Sequence, residues 1–75
     1  MKYDYYEYYY KPVFHFRVSG GGVFQRWNPK TRHWAEIRHN KARDFLSRAI
    51  ENGDGAWPMN AEERAAFEAA GGSLT

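Results

Sequence analysis

His15, His33 and His39 are the only imidazoles in the chain, which has no cysteine, so any metal site would rest on them and on carboxylates. Their spacing does not bring them together. On alternating strands His15 falls beside Arg26 and His33 at a distant turn, and no H-x3-H pair sits on a helix. We therefore expect no metal and no cofactor. Nucleophilic chemistry is equally poorly provided. Ser19 flanks a glycine turn and Ser47 lies within a helix, neither with an implied His–carboxylate partner. Glu62 and Glu63 stand together at a helix start, where the helix dipole accounts for them. "SGGG" (19–22) lacks the following Lys-Ser/Thr and helix of a phosphate loop, so a hairpin turn is expected there. The expectation is a non-enzyme.

Charge and aromatic content are more informative. Residues 11–52 carry nine Lys/Arg against Glu36, Asp44 and Glu51, whereas residues 53–75 carry Arg64 against four acids. Such asymmetry favours an anionic partner, or else an acidic end that folds back on the basic middle. Fourteen aromatics in 75 residues can supply the core that so short a chain otherwise lacks. Six of them are tyrosines within "YDYYEYYYKPVFHF" (3–16). There is no apolar run of signal or membrane-span length, which, with the absence of cysteine, leads us to expect a cytoplasmic protein that does not enter membranes.

The elements that must position these groups follow from periodicity and turns. "VFHFRVS" (13–19) alternates with the period of a half-buried strand, "GGG" permits a tight hairpin, and "VFQRWN" (23–28) returns. "NPKT" opens a turn to a third strand, "RHWAEI" (32–37). A two-residue Gly20–Gly21 loop places Val18 opposite Val23 and Phe14 opposite Trp27. A four-residue loop over 29–32 places Trp27 opposite Trp34 and demands a left-handed residue at Arg32. One face is then Phe14, Phe16, Val18, Val23, Trp27 and Trp34. The other is His15, Arg17, Phe24, Arg26, His33, Ala35 and Ile37.

"NKARDFLSRAIENG" reads as an amphipathic helix over 40–52, N-capped by Asn40 and stopped by Gly53, with the stripe Ala42, Phe45, Leu46, Ala49 and Ile50. "DGAWP" (54–58) is a turn anchored by Trp57. A second helix over 60–70 opens with an Asn60–Glu63 capping box, and Phe67, its only large apolar residue, docks it lightly. Residues 71–75 are a loose tail. The predicted fold is one α+β domain of order βββαα: a three-stranded antiparallel meander (13–38) on one helix, followed by a second short helix. Residues 1–11 form an extended arm, because alternation runs through Pro12 without a slip. The arm overhangs the hairpin and should lie on the helices, with a second copy or a foreign partner as the alternative.

Order and spacing from Val13 to Asn52 resemble the three-strand-plus-helix arm-type DNA-binding domain at the N-terminus of tyrosine integrases, a fold related to plant AP2 domains. That resemblance would make Arg17, Arg26, Lys30, Arg32 and Arg38 DNA contacts. "WNPKTRHW" is also similar to W-D-P-x-T-G-x-W-like stretches of small actinobacterial and phage proteins, with Arg32 in place of the turn glycine. Two functions are compatible with these features. One is a small protein-interaction module (an adaptor, inhibitor or regulator, phage- or plasmid-like in scale) recognising its partner through Tyr3, Tyr5, Tyr9, Phe24 and Ile37. The other is a nucleic-acid-binding accessory protein using a basic outer sheet face, with His15, Arg17, Arg26, Lys30, Arg32 and Arg38 as contacts. Self-association through the arm is compatible with either.

Overall fold

Three consecutive glycines decide how the strands register. The computed structural model describes residues 2–74, and in it Gly20–Gly22 form a three-residue loop. Ser19 N–H donates to Val23 O (3.0 Å), and Gly22 adopts φ 84. A three-residue hairpin ending in a left-handed residue is a common solution, and only glycine adopts that conformation without cost. Strands β2 (Phe14–Ser19) and β3 (Phe24–Asn28) therefore pair with Val18 opposite Phe24 and Phe16 opposite Arg26. This corrects the expected pairing of Val18 with Val23 by one residue. Because side chains alternate, one residue of slip moves all of β3 to the other face.

The next turn forms as expected. Asn28 O accepts from Arg32 N–H at 2.8 Å, Asn28 Oδ1 accepts from Lys30 N–H at 2.9 Å, and Arg32 is left-handed at φ 57. Trp27 consequently faces Trp34 on β4 (His33–Glu36).

The Tyr-rich segment is a strand, not an overhanging arm. β1 (Tyr3–Tyr8) runs antiparallel to β2 from Tyr3 opposite Ser19 to Tyr8 opposite Phe14, after a reversal through residues 9–13 that includes a cis Lys11–Pro12 bond. The period-2 alternation survives this reversal because paired residues share parity: Tyr6 meets Phe16 and Tyr8 meets Phe14 on one face. An unbroken alternation thus fits a hairpin as well as a single strand.

On its other side β1 pairs with β5 (Ala56–Pro58), formed from the stretch expected to be only a turn. The sheet is antiparallel, five-stranded and ordered β4-β3-β2-β1-β5. Both ladder sides of β1 are occupied over Tyr6, Glu7 and Tyr8. Pro58 lies on the outermost strand, where a missing N–H is tolerated.

A helix covers each face. α1 (Asn40–Asn52) begins after His39, which adopts the N-cap conformation expected of Asn40; the Asn40 side chain instead accepts from Arg43. It ends at left-handed Gly53, with Asp54 N–H reaching back to Ala49 O at 3.0 Å. Leu46 and Ala49 pack on Phe16, Phe24 and Ala56, flanked by Tyr6, Tyr8, Phe14, Val18, Ile37 and Ile50. Phe45, expected in this stripe, is 55% exposed.

α2 (Ala61–Ala69) opens on the expected Asn60–Glu63 capping box and lies on the other face. There Tyr5, Trp27, Met59 and Phe67 form a second core with Tyr3, Trp34 and Leu74. Phe67, the one buried residue of α2, stands edge-on to Trp27 at 5.5 Å and docks the helix on the sheet. The last residues are not loose. Tyr5 OH donates to Leu74 O (2.6 Å), and Trp34 Nε1 donates to Ser73 O (2.9 Å). Gly72 lies so close to Phe67 that a Cβ there would come within 2.4 Å of the ring. Met1 and Thr75, the ends of the expected arm and tail, lie outside the described residues.

Candidate functional site

The two-sided core separates the cations that were expected to share one outer face. Arg17 is buried on the α2 side. Its guanidinium lies 3.8 Å from the Tyr3 ring centre and 4.5 Å from that of Trp34, and its Nε donates to Gln25 Oε1 at 2.6 Å. An arginine so enclosed is a structural part of the second core and not a surface contact. His15 shares that face but is half-buried beneath α2, 4.9 Å from the Phe67 ring. Arg26 points to the opposite face and covers the Phe14 ring at 4.1 Å. Lys30 and Arg32 are exposed on the β3–β4 turn, and Arg38 is exposed beyond β4 with its Nε 3.9 Å from Glu36. The structure thus groups Arg26, Lys30, Arg32 and Arg38 near one sheet edge and removes His15 and Arg17 from them.

The expected protein-contact residues are divided in a similar way. Phe24 is buried and Ile37 half-buried under α1, because the register slip carried them to the apolar face. Tyr5 is buried, and Tyr3 is half-buried over Arg17. Tyr9 is half-buried, stacked on the exposed Trp57 with ring centres 4.4 Å apart.

Around Tyr9 the structure assembles a surface that periodicity did not reveal. Tyr10 and Trp57 are both 48% exposed. Rings follow one another from Trp57 to Tyr9, Tyr10, Tyr8 and Phe45, with successive centres 4.4 to 5.9 Å apart. Polar bonds hold this platform in place. Tyr9 OH accepts from Gly55 N–H at 2.9 Å, and Tyr10 OH donates to the Asp54 carboxylate. The Asp54 hydrogen bond and charge push the Tyr10 phenol up to about 12. Gly55, at φ 103, lets the chain pass under Tyr8 and Tyr10, where a Cβ would lie 3.1 Å from the Tyr8 ring. Beside the platform a groove of about 390 Å³ runs between the β1–β2 turn and α1, lined by Tyr8, Lys11, Pro12, Phe14, Phe45 and Leu46 among others. In the sequence Phe45 reads as one more residue of the buried helix stripe, and nothing local marks it as exposed.

The titratable groups converge elsewhere, in a cleft of about 410 Å³ between the sheet and α2. Phe14, Trp27 and Phe67 line it, with Glu7, His15 and Glu63 among its polar groups. Burial pushes the Glu7 carboxyl up, reinforced by its hydrogen bond with Glu63 and by that group's charge. Burial holds the His15 imidazole down, against a smaller opposite pull from Glu63. His15 Nε2 stands 3.9 Å from Glu7, too far for a hydrogen bond. Among the described residues no serine, threonine or lysine lines this cleft. Among the described residues no three His, Asp or Glu side chains are arranged to hold a metal ion, and no helix is long and apolar enough to cross a membrane.

No protein-family model, curated protein or solved structure matches this chain.

Proposed function

We propose that this protein is a small non-enzymatic interaction module, of the adaptor, inhibitor or regulator kind, which receives an apolar segment of another protein on its aromatic end. The observation that carries this reading is the pinned run of rings from Trp57 through Tyr9, Tyr10 and Tyr8 to Phe45, with a groove beside it. Contiguous large apolar side chains at the surface are uncommon in proteins without a partner. Tyrosine and tryptophan provide large contact area with few rotatable bonds, and prior anchoring by Asp54 and Gly55 lowers the ordering cost of binding. The groove accepts an apolar anchor residue of the partner, and the ring faces cover its flanks.

The test is affinity capture from the native host, with nuclease present, followed by titration of each captured protein. Trp57→Ala and Phe45→Ser should each weaken binding at least about tenfold, the effect of a modest hot-spot residue, with little change in melting temperature. A partner that binds the Trp57→Ala/Phe45→Ser double variant as tightly as the wild type would assign recognition to a different surface.

A further inference from the structure

We infer that the open β4 edge, with the turn before it and the start of α1, binds the phosphate backbone of a nucleic acid. Arg26, Lys30, Arg32, Arg38, Lys41 and Arg43 lie along this strip, and only Glu36 and Asp44 oppose them within residues 26–44. All six are exposed except Arg43, which is half-buried. Among the described residues the strip contains one ion pair, Arg38 with Glu36, so most of its charge is uncompensated.

The fold places these cations in a line. β4 is an outermost strand with one ladder side unpaired. Lys30 and Arg32 stand at the turn that enters it, Arg38 and Lys41 follow its exit, and Arg26 sits on the neighbouring strand opposite Ala35. Four strand residues at about 3.3 Å each extend roughly 13 Å, which passes about four phosphates of one nucleic-acid strand at ~3.4 Å per charge. The acids of α2 (Glu62, Glu63, Glu68) lie on the other side of the sheet, and Asp54 precedes β5 at the far edge. That asymmetry turns the basic edge toward an approaching polyanion.

A nucleic acid fits this strip better than an acidic protein does. Protein interfaces contain an apolar centre. The large exposed apolar side chains, Tyr10, Val13, Val23, Phe45 and Trp57, all lie outside the strip. Four of its six cations are arginines, whose planar fork matches phosphate oxygens in pairs. The strip meets the aromatic groove at Arg26, which lines both, so variants that spare Arg26 test the two surfaces independently.

Fluorescence anisotropy with labelled DNA of about 20 nucleotides, single-stranded and duplex, at roughly 50 to 200 mM salt is the direct test. A polyglutamate peptide of similar length is the acidic-protein comparator. Binding of either DNA form should weaken with salt along a log–log slope of about −3 to −5, from four to six phosphate contacts. The Lys30→Gln/Arg38→Gln/Lys41→Gln variant should lower that slope by roughly 2 to 3, with an unchanged melting temperature, whereas Trp57→Ala should leave it unaltered. Arg32→Gly is a second variant with an unstrained backbone, because glycine suits φ 57, which offsets the lost guanidinium contact at Gly71; it should melt close to wild type yet bind several-fold more weakly. The proposal is overturned if neither DNA form binds at the lowest salt. It is equally overturned if the triple and Arg32→Gly variants bind like wild type, or if polyglutamate competes with DNA as an equal.

Discussion

The two sides of the sheet are built on different physical terms. On the α1 side an aliphatic helical stripe meets Phe16 and Phe24 in a core without buried ions, and Phe16 is wholly inaccessible. On the α2 side the core is aromatic and encloses charge: Arg17 between two rings, His15 under Phe67, and Glu7 against Glu63. An apolar helix stripe packs by area and is indifferent to pH. A cluster that surrounds ionisable groups depends on their protonation and on a few well-placed anchors. The α1 side is therefore expected to be the permanent part of the domain and the α2 side the conditional one.

The largest effect should come from removing what both sides share. β1 lies between β2 and β5 and contributes Tyr6 and Tyr8 to one core and Tyr5 to the other. Deleting residues 1–11 should abolish cooperative unfolding, as read by urea denaturation; a variant that still melts cooperatively would show β1 to be dispensable. Phe16→Ala should cost about 4 kcal/mol, close to the whole stability of a domain this small. Phe67→Ala should cost about 3 kcal/mol. It should loosen residues 60–74 first, visible as faster amide exchange there than in α1. Equal loss of protection in both helices would show that the two sides are one cooperative unit.

Smaller changes probe the α2 side alone. Gly72→Ala forces a methyl group against the Phe67 ring and should cost about 2 kcal/mol.

The pH response has two opposed parts. Folded Glu7 holds its proton more tightly than the unfolded chain does, so its ionisation lowers stability as pH rises above about its ordinary 4.5. Folded His15 holds its proton less tightly, so its contribution is full above the ordinary 6.5 and is lost as pH falls through the depressed folded value. Glu7→Gln removes the first part and keeps a hydrogen-bonding partner for Glu63. It should raise stability by about 0.5 kcal/mol near pH 7.5, with the gain vanishing toward pH 4. Melting curves across that range decide it: a gain that grows toward acid would contradict the assignment of Glu7.

Local signals were readable because they involve residues within a turn of one another. The α1 span, its Gly53 stop, the Asn60–Glu63 capping box and the left-handed Arg32 turn with Trp27 opposite Trp34 all follow from contacts a few residues apart. The candidate surfaces were less readable. Arg26, Lys30, Arg32 and Arg38 stood out as exposed cations, but Arg17 and His15 resembled them in sequence and differ only in what covers them. Tyr10 belonged to the alternation through Pro12 and Trp57 read as a turn anchor, yet both are exposed, since their surroundings depend on β5 joining β1 across more than forty residues.

By itself, then, the chain specified its helices, the Gly53 stop, the Asn60–Glu63 capping box, the Asn28–Arg32 turn and which residues alternate, because each is decided by backbone preferences over one or two turns of chain. Only the tertiary structure decided which faces those alternations point to. A run of three glycines admits a two- or a three-residue loop at little difference in local energy, and an even-parity reversal at Lys11–Pro12 leaves the alternation unbroken. The choice falls to packing between distant segments. Phe24 joins Phe16 and Leu46 under one helix, while Trp27 and Trp34 join Phe67 and enclose Arg17 under the other.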